Sequence, residues 1–267
     1  MITLLKLGGS LVTDKTVEAS FRADTVRRVA REIKRAFEQS GVNHQLIIGH
    51  GSGSFGHFAA KKYGTANGVH SAEDWHGFAE VAFIASKLNA LILDDFLSEG
   101  LPIVRFQPSA SVRSHDAKII HMETDAIQFA LQKGLIPLVY GDVAFDDVLG
   151  GTITSTETIF TYLTTHLPVQ RIILLGEVEG VFDLDGNTIP RITPDNFDEI
   201  KVALGGSSGT DVTGGMITKV TDMLTLAQLK PNLTVQILNG TTHDLLFTAL
   251  IASTDSMPGT IITTDKA

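Results

Sequence analysis

Residues 2–10 read ITLLKLGGS, and residues 45–57 read QLIIGHGSGSFGH. Each begins as a short apolar run and ends in glycine. A run this short, closed by a Gly-rich turn, fits a strand buried on both faces. Between the two, Val26, Val29, Ala30, Ile33 and Phe37 recur at helical spacing across residues 23–40. Strand, amphipathic helix and strand in that order form the repeating unit of a parallel sheet.

The alternation continues outward. Further strands are predicted over 103–106, 135–140, 171–175, 234–238 and 260–263, and further helices over 71–98, 124–133, 156–163, 215–229 and 244–251. Lys230 and Pro231 end the helix from 215. The run DLDGN at 183–187 reads as the tight turn of a hairpin. The expected fold class is α/β, a mainly parallel sheet with helices on both faces. With a soft boundary near 166–168, it is one domain over 1–267 made of two lobes, 1–167 and 168–267, on a continuous sheet.

In such sheets ligands sit beyond the C-terminal strand ends. Gly-rich or polar turns follow the strands at 8–10, 49–57, 141–142 and 176–180, and a Gly-rich segment at 205–215 leads into a helix. In KLGGS, Gly8 and Gly9 let backbone N–H groups approach an anion, with Ser10 after them and Lys6 adding a point charge. A strand-edge lysine before a plain turn is the bland alternative, but Lys in an apolar parallel strand is costly unless paired. In GHGSGSFGH, Gly51 and Gly56 bracket a loop that runs into a helix near Phe58. Exposed amides and a helix N-terminus make an anion site there. Ser52 and Ser54 add hydroxyls, and His57 can donate to a phosphate oxygen.

That loop contains a literal G-x-G-x-x-G, from Gly51 to Gly56, but 61–74 is polar and holds no strand ending in an acid. A dinucleotide fingerprint needs one. Asp142 follows the strand LIPLVY, where a carboxylate could orient lysines or merely cap a turn. In DVTGGMITK at 211–219, Gly214 and Gly215 open an amphipathic helix and Lys219 lies one turn on, which suits a nucleoside triphosphate. A Walker A loop, the protein-kinase H-R-D and D-F-G sets and a G-x-S-x-G elbow are all missing from the sequence. His115 and His121 read as parts of a polar turn rather than as metal ligands.

Composition narrows the class further. The chain has 267 residues, net charge −9 and no cysteine. An acidic chain is a poor partner for nucleic acid or anionic membrane. The lack of cysteine removes disulfides and thiolate chemistry and suits a reducing cytoplasm. The N-terminus lacks a secretory apolar region, and the longest apolar helical stretch, 78–96, is broken by Glu80, Lys87, Asp94 and Asp95.

The four motifs in this order resemble the amino acid kinase superfamily over nearly the whole chain. KLGGS and DVTGGM-x-x-K look like its nucleotide-side signatures. The Ser-Phe-Gly-His ending of the 49–57 loop, KLGGSLVTDK with Lys15, and RFQPSAS at 105–111 are similar to the isopentenyl phosphate kinases, with fosfomycin kinases as near relatives. The resemblance implies an open αβα sandwich and an ATP- and Mg²⁺-dependent small-molecule kinase, homodimeric and serving isoprenoid synthesis. The first lobe would bind the acceptor and the second ATP. Lys6, Lys15 and Lys219 would neutralise the transferring phosphoryl group. Gly51, Gly56 and His57 would hold the acceptor phosphate. Asp142 would organise the lysines or the acceptor. Gly8, Gly9, Ser10, Ser52, Gly214 and Gly215 would line the ATP phosphates. The family commonly carries Asp-Val-Asp-Gly where this chain has Glu177-Val178-Glu179-Gly180. Phe78, Val81, Phe83 and Ile84 are candidates for an apolar wall against a prenyl tail. A kinase of another phosphate, phosphonate or carboxylate acceptor on the same fold, and a non-catalytic nucleotide sensor, are the alternative readings.

Overall fold

The computed structural model describes residues 2–40, 45–205, 215–252 and 257–264. Its centre is β1 (Ile2–Leu7). On one side the sheet continues through β2 (Gln45–His50), β6 (Ile136–Tyr140) and β3 (Ile103–Arg105). On the other it continues through β9 (Val169–Gly176), β11 (Thr234–Asn239), β12 (Thr260–Ile262) and β10 (Arg191–Ile192). The pairs from β3 to β11 are parallel, and β12 runs antiparallel to β11. A second sheet, in the order β5-β4-β7-β8, consists of β4 (Arg113–His115), β5 (Lys118–His121), β7 (Asp142–Asp146) and β8 (Gly150–Thr154).

Side chains alternate across the pleat, so each central strand feeds two cores. Leu5 and Leu7 of β1 pack with α2 (Ala23–Ser40), α4 (Ala72–Ser98) and α9 (Leu245–Ile251) through Val29, Ile33, Leu88, Ile92 and Leu246. Ile2 and Leu4 face the other way. They join Ile127 of α5 (Asp125–Gln132), Phe160 of α6 (Thr156–His166), Ile200 of α7 (Phe197–Gly205) and Met223 of α8 (Gly215–Leu229). The result is the three-layer αβα sandwich. α4 begins with a reciprocal cap: Ser71 Oγ accepts from Asp74 N–H at 3.1 Å, and the Asp74 carboxylate accepts from Ser71 N–H at 2.8 Å.

The strongly patterned elements fall where periodicity places them, and the 183–187 turn closes a small hairpin through the Phe182–Thr188 bridge. Three helices depart from expectation, α7 by lying where none is expected. α1 (Gly9–Val12) occupies what reads as a plain turn, and α3 (Gly53–Tyr63) starts within the glycine loop, four residues before His57. No helix among the described residues is long and apolar enough to cross a membrane. From β1 the chain first builds one side of the sheet, then returns through α6 to build the other. The C-terminal ends of β1, β2 and β9 therefore border the switch point at which open α/β sheets bind ligands.

Candidate active site

Two glycine turns interlock at this edge. The Gly8 N–H donates to Leu175 O at 2.8 Å, and Gly51 N–H donates to Leu7 O at 3.1 Å. A Cβ on Gly9 would lie 2.8 Å from Gly53 Cα, a distance no side chain tolerates, so the β1 and β2 turns touch backbone to backbone. Gly53 holds φ at +50°, a conformation glycine adopts without cost. Thr13 ties the two together: its hydroxyl donates to Gly9 O at 2.7 Å and accepts from Ser54 N–H at 2.9 Å. Ser10 and Ser52 are half-buried at the rims of these turns. Ser52 precedes the first turn of α3, whose first residue, Gly53, lies against Gly9 of the β1 turn.

Lys6 stands on the face of β1 that carries Ile2 and Leu4, one step beyond the apolar core. There it meets the first turn of α6 and forms a hydrogen-bonded ion pair with Glu157. The two side chains are 12% and 28% exposed, so the pair is largely screened from solvent. Burial pushes the Glu157 carboxyl up, but the Lys6 ammonium and its hydrogen bond outweigh this and hold it below the usual range. The charge of Lys219, from the first turns of α8, pulls the same way. Lys6, Glu157 and Lys219 thus converge electrostatically from three separate elements.

Asp142, expected to organise the lysines or the acceptor, is held by backbone donors. Almost fully buried at the start of β7, its carboxylate accepts from Ser109 N–H at 3.1 Å and Val143 N–H at 2.9 Å. Burial pushes its carboxyl above the usual range despite these bonds. It pins the RFQPSAS segment to the second sheet, and among the described residues it pairs with no lysine. The lysine partner is Glu157, which the sequence reading passed over. An acid just after a capping Ser155 reads as ordinary N-terminal decoration of a helix. Lys15 is exposed in the turn after α1 and makes no ion pair among the described residues. His57 is exposed on α3. Gly56 lies one turn after Ser52, where a Cβ would meet Ser52 Cβ at 2.5 Å. Gly215 opens α8 with φ +67°, whereas Gly214 lies outside the described residues.

A second missed residue is His50, the last of β2. Its alternation with Leu46 and Ile48 was the available signal, since it places the ring on the α2–α4 face. The imidazole is fully buried, stacked on Tyr140 with centroids 5.5 Å apart, and bonded to Gly51 O and Asn89 at 3.0 Å each. Burial holds its pKa down at about 4 against the backbone hydrogen bond, so the ring is neutral at physiological pH. The His50 carbonyl accepts from Gly141 N–H at 3.1 Å and from Thr156 Oγ1 at 2.6 Å. This one residue ties the glycine loop to the approach to Asp142 and to the helix that carries Glu157.

The Glu177–Glu179 departure also finds a physical account. Glu177 pairs with Arg22 at 2.6 Å, and Glu179 accepts from Asn239 Nδ2 at 2.8 Å. Both longer acids tie the β9 turn to its neighbours. Of the supposed tail wall, Phe78 and Val81 pack with Ala59, Val69 and Val143, and Ile84 lies against them. Phe83 does not join them; it is 58% exposed, with Lys87 over its ring.

Residues 1–239 match the amino acid kinase family. The chain is 35% identical to an isopentenyl phosphate kinase of Methanothermobacter thermautotrophicus, over 84% of this chain and 86% of that protein. It is 37% identical to one from Methanocaldococcus jannaschii with the same coverage. A crystal structure of an isopentenyl phosphate kinase superposes with a TM-score of 0.81 at 30% identity, covering 98% of this chain and all of that one.

Proposed function

The chain belongs to the amino acid kinase family, among the isopentenyl phosphate kinases, and from that premise we propose that it transfers the γ-phosphoryl group of ATP to isopentenyl phosphate, giving isopentenyl diphosphate and ADP. The observation that carries the reading is the interlock of the 8–10 and 51–57 turns beside the Lys6–Glu157 pair. It sets two anion-binding turns and a held cation at one edge, as transfer between two phosphates requires. The similarity to isopentenyl phosphate kinases over 84% of the chain selects the acceptor.

A phosphate-monoester acceptor is largely ionised near neutral pH, so no strong general base is needed. The work is positioning and charge neutralisation. The amides of the glycine loop and His57 orient the acceptor phosphate, and the 8–10 turn together with the Ser52 hydroxyl lines the ATP phosphates. Lys6 and Lys219 meet the charge on the transferring group. Glu157 keeps Lys6 aimed until a phosphate takes its place. Residues 1–167 form the acceptor lobe and 168–267 the ATP lobe. Mg²⁺ travels with the nucleotide: it favours substrate phosphates and water over an all-protein cage, and no group of three His, Asp or Glu gathers among the described residues. When bound it shields the ATP oxygens. A homodimer, cytoplasmic and feeding isoprenoid synthesis through the mevalonate route, completes the proposal; sedimentation at the mass of a single chain would contradict the dimer.

The test is an acceptor screen with Mg-ATP and mass detection of product, using isopentenyl phosphate, fosfomycin and N-acetylglutamate. The expected result is isopentenyl diphosphate. Good turnover of either competitor, with isopentenyl phosphate left intact, overturns the substrate assignment.

A further inference from the structure

The peptide that begins the glycine loop has its direction set from inside the core. The Gly51 carbonyl can only accept, so the His50 nitrogen 3.0 Å from it, Nδ1, carries the ring proton. Nε2 then has a lone pair to offer, and it faces Asn89 Nδ2 at 3.0 Å. Asn89 is fully buried on α4, beside Leu88 and Ile92, and its Oδ1 has no hydrogen-bond partner among the described residues. An amide kept in an apolar core with one atom unsatisfied is costly. What it does there is donate to Nε2, which only the Nδ1–H tautomer can accept. Asn89 therefore selects the tautomer, and the tautomer selects the donor that reaches Gly51.

The Gly51–Ser52 peptide is trans. Its C=O and N–H point in opposite directions. With the carbonyl drawn inward to the imidazole, the Ser52 N–H is directed away from the core. Among the described residues no group accepts a hydrogen bond from it. The peptide on the other side of Gly51 is fixed too, by its N–H to Leu7 O.

We propose that His50 is a positioning residue of the phosphate loop: through Nδ1–H it holds the Gly51 carbonyl in the core and so presents the Ser52 N–H to the acceptor phosphate. The proposal rests on reading the 51–57 loop as the acceptor cradle. His50 itself touches no reacting atom. Its partners come from three elements: Asn89 from α4, Tyr140 from β6 and the Gly51 carbonyl from its own turn.

Two measurements on the full chain test it. Long-range ¹⁵N correlation of the His50 ring at neutral pH should show the Nδ1–H tautomer, and an Nε2–H ring overturns the proposal. In kinetics, His50→Phe keeps the ring and its stacking but no donor. It should raise the acceptor KM roughly 3- to 10-fold, as loss of one neutral hydrogen bond does, with the ATP KM within about twofold of wild type. His50→Asn returns an N–H near the Nδ1 position and should recover part of that loss. An unchanged acceptor KM in a folded His50→Phe, or a parallel rise in both KM values, contradicts it. Should His50→Phe fail to fold, His50→Asn and the tautomer decide. The same split is measured with whichever acceptor the wild type uses, so a wrong substrate assignment and a wrong role for His50 give different results.

Discussion

Lys6 and His50 stand one register step apart near the ends of two neighbouring strands, point to opposite faces of the sheet, and are handled in opposite ways. Lys6 leaves the core by one residue and is paired with Glu157, on which the charge of Lys219 also acts. His50 stays neutral, remains in the core, and is met by an amide and a carbonyl. A transferring phosphoryl group needs mobile positive charge that can exchange a carboxylate for phosphate oxygens. A phosphate cradle needs fixed amides, whose direction a neutral network sets without competing for the anion. One edge of a sheet can supply both because successive register positions of adjacent strands, Lys6 and then His50, face opposite sides of the pleat.

Removing the charged side should have the largest effect. Lys6→Met, and likewise Lys219→Ala, is expected to lower kcat by roughly 10²- to 10³-fold, the size seen when one donor to transition-state charge is lost. Near-wild-type kcat in a folded variant would place that lysine outside the reaction. Glu157→Gln keeps the shape and removes the partner charge. It should cost roughly 10- to 10²-fold in kcat, the worth of a hydrogen bond to a charged group. If Glu157→Gln is silent while Lys6→Met is not, Lys6 needs no holder.

Acid separates the two sides further. The folded pKa of His50, about 4, lies below its ordinary 6.5, so between those values the unfolded chain binds the extra proton. Stability should fall as pH drops through that window, by up to about 1.4 kcal/mol per pH unit from this group. The Glu157 carboxyl is also held below its ordinary 4.5, but its contribution is intact above that value and is lost only as pH falls through the lower folded value. Thermal melts from pH 7 to 4 should therefore show a slope that His50→Phe reduces and Glu157→Gln leaves in place. The reverse pattern would mean that His50 is not the buried neutral group of the pair. The smallest effect is expected of Phe83→Ala: as an exposed side chain it should change stability by less than about 0.5 kcal/mol and leave the preference among prenyl phosphates unchanged. A shift toward longer chains would return Phe83 to the tail wall.

The sheet and its long helices were legible because they announce themselves by period. Val26 to Phe37 can only be one face of a helix, and ITLLKL has no polar face to offer solvent until Lys6. The small second sheet was not legible, since β4 and β5 are short and mostly exposed and β7 follows β6 with a single glycine between them. The start of α3 was hidden because Gly51, Gly53 and Gly56 oppose helix by propensity, and tertiary contacts with Gly9 and Thr13 override it. The site was half legible. Glycine turns and lysines stand out in a sequence, but a residue that orients them does not: Glu157 looks like a helix-cap acid and Asp142 like its natural rival. The packing of α6 against the end of β1 brings Glu157, and not Asp142, onto Lys6.

If the β2 turn grips the acceptor while the β1 side serves the nucleotide, His57 should act on the acceptor alone. It is exposed on α3, at the end of the glycine loop. Steady-state kinetics of His57→Ala, with isopentenyl phosphate and ATP varied in turn, should show kcat/KM for the acceptor reduced roughly 10- to 150-fold, as loss of a hydrogen bond to a charged group predicts, with the KM for ATP almost unmoved. A rise confined to the KM for ATP would mean that the loop holds the nucleotide and that the two sides have been assigned in reverse.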